Sequence, residues 1–122
     1  MDNKFYVSYE VAKLLKEKGY DRECISYYYD DGKEIDYSFC GERNSTWEER
    51  CVSAPTKAEA IDWLDSKGFY VDLLYTLDGK WNCVITIPSY GMVLDDMELF
   101  DTRLEAEEAA IIKACELYER SK

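Results

Sequence analysis

Apolar positions along this chain recur with two periods, and the switches between them mark out its elements. Val11, Leu14 and Leu15 form one helical stripe after Ser8, a capping residue, and Gly19 supplies a left-handed stop. A short extended segment at Phe5 to Val7 precedes this helix. The period then changes to two. Ile25, Tyr27 and Tyr29 alternate with polar or outward positions, and Ile35, Tyr37 and Phe39 alternate with Asp36 and Ser38. Asp31-Gly32 between them is a tight-turn pair, so the pattern predicts a β-hairpin with one wet face.

The stretch from Cys40 to Glu49 is polar and loop-like apart from Trp47, and Arg50 to Ala54 reads as a short third strand. Pro55 holds its predecessor extended, and Thr56 with Glu59 makes a capping box. A second helix follows through Ala60, Ile61, Trp63 and Leu64 to Gly68. Tyr70 to Thr76 and Trp81 to Ile87 flank Asp78-Gly79 as a second hairpin, with Trp81, Cys83, Ile85 and Ile87 on its core face. Pro88 to Asp101 is an irregular excursion holding enough apolar residues to pack in part as an edge strand. Thr102 with Glu105 then caps a C-terminal helix whose stripe is Ala106, Ala109, Ala110, Ala114, Leu117 and Tyr118.

The predicted order is α-β-β-(β)-α-β-β-α, an α+β fold in a single domain spanning residues 1–122, with one antiparallel sheet and helices packed on one face. An internal echo supports two related halves. Leu14-Leu15-Lys16-Glu17-Lys18-Gly19-Tyr20 is answered 49 positions later by Trp63-Leu64-Asp65-Ser66-Lys67-Gly68-Phe69. Asp31-Gly32-Lys33 is likewise answered by Asp78-Gly79-Lys80. The echo suggests a pseudo-repeat of an α-β-β unit, although a helix with a glycine stop and an Asp-Gly hairpin are each common devices.

Composition narrows the chemistry. No histidine occurs, so the commonest general base and transition-metal ligand is missing. The five cysteines, Cys24, Cys40, Cys51, Cys83 and Cys115, include no Cys-x-x-Cys pair and are read as free thiols of a reducing compartment. No cofactor fingerprint, glycine-rich phosphate loop or zinc site is present in the sequence, and no cofactor is expected. Apolar runs fall well short of the roughly 18 residues of a membrane span, and Met1 to Phe5 lacks the basic region and apolar stretch of a secretory signal. A cytoplasmic protein without a membrane partner is therefore expected.

Charge bears on partners. Against 26 acidic side chains stand 15 basic ones, for a net charge of −11, which repels nucleic-acid phosphates at long range. Lys13, Lys16 and Lys18 read as a solvated helix face rather than a phosphate-binding patch. More than half of the net charge lies between Asp95 and Glu108, where seven acids face Arg103 alone. Three readings compete there. Acids in a first helical turn complement the helix dipole. Asp95, Asp96, Glu98, Asp101, Glu105 and Glu108 could form an acidic docking surface for a basic partner. Asp95, Asp96 and Glu98 could instead hold magnesium or calcium, although no calcium-loop spacing is present. Asp30-Asp31 fits the hairpin turn better than an acid/base pair. If Tyr27 and Tyr29 face the helices, Tyr28 and Ser26 face the other way, and Tyr28 becomes an aromatic anchor on an open sheet face.

Two long phrases carry a resemblance. Val7 to Tyr20, and Cys51-Val52-Ser53-Ala54-Pro55-Thr56 continuing into Trp63-Leu64, together with the Glu-Ala-rich closing helix, resemble small proteins encoded by phages and prophages of gut anaerobic bacteria. The resemblance implies a context and no reaction, ligand or residue role. The expected function is a non-catalytic acidic binding module that contacts a host or phage protein with a basic surface, acting as an inhibitor or a mimic of nucleic-acid charge. A carboxylate-only magnesium-dependent hydrolase and a subunit of a symmetric homo-oligomer stand as alternatives.

Overall fold

Ser8 opens the first helix, α1 (Tyr9–Glu17), by accepting a hydrogen bond from the Val11 amide at 3.3 Å, and Val11, Ala12 and Leu15 turn inward from it. The computed structural model describes residues 4–29, 34–45, 47, 51–94 and 98–120. It has an α+β fold in which the chain divides into two compact units, Met1–Thr56 and Lys57–Lys122.

In the first unit α1 is followed by β1 (Cys24–Tyr29), β2 (Ile35–Glu42) and β3 (Cys51–Ser53), which form a three-stranded antiparallel sheet in the order β2-β1-β3. The extended segment expected at Phe5 to Val7 is reduced to a single bridge between Tyr6 and Thr56. The Asp31-Gly32 turn lies outside the described residues. Central strand β1 places Tyr28 between Ile35 of β2 and Val52 of β3, and the register with β2 is irregular between Cys24 and Ser26.

In the second unit α2 (Lys57–Ser66) begins one residue after Thr56, the position expected for its cap. Strands β4 (Tyr70–Tyr75) and β5 (Trp81–Ile87) pair in register around the Asp78-Gly79 turn, where the Thr76 amide donates to the Lys80 carbonyl at 2.8 Å. The excursion after Pro88 is a single 3₁₀ turn, then β6 (Met92–Leu94) and β7 (Leu99–Phe100), both paired with β5. Helix α3 (Arg103–Arg120) closes the unit. Its cap is Thr102, whose hydroxyl accepts from the Glu105 amide at 3.2 Å and donates to the Glu105 carboxylate at 2.9 Å. Cys83, Ile85 and Ile87 of β5 are buried, as their shared parity predicts, and so are Ala60, Trp63 and Leu64 of α2 and Ala106, Ala110 and Ala114 of α3.

Two expectations are corrected. The single sheet is two sheets, because each hairpin recruits strands close to it in sequence and short loops close at little entropic cost. The echo holds at the helix ends, and its Asp31-Gly32-Lys33 part lies outside the described residues. Gly19 and Gly68 both adopt left-handed φ angles (96° and 88°), and the amides of Tyr20 and Phe69 reach back to the carbonyls of Leu15 and Leu64 at 2.9 and 3.0 Å. Both aromatics are buried. The sheets then diverge, since β3 joins the first strand of its hairpin whereas β6 and β7 join the second strand of theirs.

Candidate functional site

The aromatic anchor expected at Tyr28 is not on the surface. Tyr28 is buried, 4% exposed, its ring meets Tyr9 edge-on with centroids 5.7 Å apart, and its hydroxyl donates to the Val7 carbonyl at 2.8 Å. Ser26 on the same face is also buried and donates to the Ala54 carbonyl at 2.7 Å. The parity of β1 is thus the reverse of that predicted. Three consecutive tyrosines leave the apolar alternation ambiguous, and a polar parity can be buried when each hydroxyl finds an acceptor.

The opposite face of β1 carries Ile25 and Tyr29, both exposed, and Tyr27. Trp47 leans over Tyr27, with ring centroids 4.6 Å apart, and its indole N–H donates to the Ser53 hydroxyl at 2.6 Å. Burial first, then a hydrogen bond with the Tyr29 hydroxyl, pushes the Tyr27 pKa above the ordinary tyrosine value. The turn beneath Trp47 is held by Asn44, which donates to the Tyr20 carbonyl at 2.7 Å and accepts from the Ser53 amide at 2.9 Å. Asn44 is thereby a structural clasp.

Of the predicted acidic surface, Asp95 and Asp96 lie outside the described residues. Glu98, Asp101 and Glu105 are exposed on the second unit, and Glu108 is half-buried. Asp101 forms an ion pair with Lys80, which extends the β5–β7 ladder one step beyond the Trp81–Phe100 pair. The hydrogen bond with Asp101, and then its charge, raises the Lys80 pKa. Glu105 is engaged by the Thr102 cap. These acids therefore have local structural work as well as a place on the surface. Among the described residues no group of three or more Cys, Asp or Glu side chains is placed to hold a metal ion.

A surface that the sequence reading missed lies on the second sheet. With Cys83, Ile85 and Ile87 turned inward, the register puts Tyr70, Thr86 and Val93 in one row of the opposite face and Leu74, Asn82 and Leu99 in another. Asp72 and Val84 form a row between them. Tyr70, Leu74, Val93 and Leu99 are 43, 51, 65 and 48% exposed. Four large apolar side chains thus meet solvent on one face, on either side of the Asp72–Val84 row and with Asn82 of the same face buried, and exposed apolar surface of this kind marks contact sites. The signal was present but unreadable, because the run Tyr70-Val71-Asp72-Leu73-Leu74-Tyr75 is apolar at both parities. No helix among the described residues is long and apolar enough to cross a membrane.

Comparison with known proteins adds no relative: no family model, no curated protein and no solved structure matches this chain.

Proposed function

We propose that this protein is a non-catalytic binding module that docks a protein partner on the open face of its second sheet. The observation that carries this reading is the exposure of Tyr70, Leu74, Val93 and Leu99 on one strand face, opposite the buried Cys83, Ile85 and Ile87. Leaving such a face wet is unfavourable, and the free energy falls when a complementary apolar surface covers it. Asp72 stands within the face and Asp78 and Glu98 are exposed nearby in sequence, so a partner with basic side chains around an apolar centre fits best. This arrangement favours protein docking over mimicry of nucleic-acid charge, which needs regularly spaced acids instead of a mainly apolar surface. The phage and prophage resemblance supports a host protein as the partner, and the net charge of −11 would speed encounter with a basic one.

The test is site-specific photo-crosslinking in host cells with benzoylphenylalanine in place of Tyr70. One adduct of defined mass, absent when Leu74→Asp is added, is expected. Adducts that persist unchanged with Leu74→Asp would overturn the reading, as would none at all. An adduct at twice the chain mass would replace the heterologous partner with a symmetric self-assembly.

A further inference from the structure

We propose that the second unit carries a separate docking groove on its helical side that accepts a short basic segment of a protein partner, seating one aliphatic side chain. The groove has a volume of about 270 Å³, with Cys83 of β5, Phe100 of β7 and Ala109 and Ile112 of α3 as its apolar lining. Glu98, Lys113 and Glu116 form its polar rim. It lies on the other side of the strands from the open face, because Phe100 pairs with Trp81 whereas Leu99 pairs with Asn82.

Size, exposure and charge decide the occupant. Pockets for small-molecule ligands run from about 300 to 1,000 Å³, so this groove stands at the small end of that range and has room for one or two side chains. Ile112 is 38% exposed although α3 has a fully buried stripe elsewhere, including Ala110, Ile111 and Ala114. It is therefore an apolar side chain turned out of the core and into the groove wall. Ala109, Ile112 and Glu116 recur at the spacing that places them on one helical face, so a carboxylate stands at one end of the apolar stretch. Glu98 adds a second from the strand side, and Lys113 is the one cation of the lining. An anion or an acidic peptide would be repelled here. A leucine, isoleucine or valine flanked by lysines or arginines would bury its side chain against Cys83, Phe100 and Ile112 while its cations face Glu98 and Glu116. Lys113 remains free to meet a backbone carbonyl of the incoming segment.

The experiment is a heteronuclear NMR titration of the full chain with the peptide acetyl-Lys-Lys-Leu-Lys-Lys-amide. Saturable shifts are expected at the amides of Cys83, Phe100, Ala109 and Ile112, and they should weaken when salt rises from about 0.05 M to about 0.5 M as screening shortens the reach of the rim charges. The same peptide with serine for leucine should shift these amides at least tenfold more weakly, and the version with glutamate for lysine should not shift them. Ile112→Lys, on an exposed helix position, should abolish the shifts. Ala109→Leu, which fills the groove with a good helix former, should do the same, with helicity checked by circular dichroism. Leu74→Asp should leave them unchanged, so that failure of the open-face reading and failure of this one are distinguishable. Equal response to the serine peptide would reduce the site to diffuse charge attraction and overturn the proposal. Absence of shifts, or shifts that survive Ile112→Lys, would overturn it too.

Discussion

The Tyr28 hydroxyl donates a 2.8 Å hydrogen bond to the carbonyl of Val7, 21 positions away in the chain, and this one bond ties the central strand of the first sheet to the segment that leads into α1. Both residues are buried, Val7 completely. Tyr28→Phe keeps the ring and its edge-on contact with Tyr9 but leaves a buried carbonyl without that donor. The expected loss is about 1–3 kcal/mol of stability, read as a lower midpoint in urea unfolding with no change in the dependence on denaturant. A wild-type midpoint would show that the carbonyl is satisfied by water.

The two helix stops offer a matched pair. At Gly19 and Gly68 the backbone is left-handed, and a Cβ built at either would meet no atom within 4 Å. Alanine there carries the conformational penalty alone, about 1–2 kcal/mol at each site. Unfolding of Gly19→Ala and Gly68→Ala should therefore give similar losses. A loss several times larger at one of them would mean that the two caps are not equivalent.

Alkaline titration tests the aromatic patch. The pKa of Tyr27 is raised in the folded chain, so folding favours its protonated form. The sign follows directly: this contribution is complete below the ordinary tyrosine value of about 10 and is lost as pH rises through the higher folded value. By carbon NMR with labelled tyrosine, the Tyr27 ring should titrate above the ordinary tyrosine value of about 10, and Trp47→Ala should lower its midpoint toward that value by uncovering the ring. A midpoint at the ordinary tyrosine value would contradict the burial of Tyr27.

Two leucines of the second unit should behave in opposite ways. Leu64 is fully buried on α2, and Leu64→Ala is expected to cost about 2–5 kcal/mol with no direct effect on the open face. Leu74 is 51% exposed, and Leu74→Asp should change stability by no more than about 0.5 kcal/mol. Its effect belongs to binding, where loss of an interface anchor costs about 2 kcal/mol, roughly thirtyfold in Kd. Calorimetric unfolding alongside titration with the crosslinked partner separates the two. Equal destabilisation by both substitutions would show that the face around Leu74 is part of the core.

Short-range chemistry was legible in the residues themselves. The Ser8 cap, the Thr102 and Glu105 cap, the glycine stops at Gly19 and Gly68, the hairpin at Asp78-Gly79 and the inward parity of Cys83, Ile85 and Ile87 all stand where local pattern predicts. Each depends on groups a few positions apart, and the α+β class follows from their order. The inward face of β1 did not follow, because Tyr27, Tyr28 and Tyr29 satisfy either parity until Val7 and Ala54 supply acceptors for the Tyr28 and Ser26 hydroxyls. The division into two sheets and the wet apolar face of the second are of the same kind. They are set by which strands find each other and by which side the helices cover, and these are collective choices among distant segments. Local propensity carries no term for such choices.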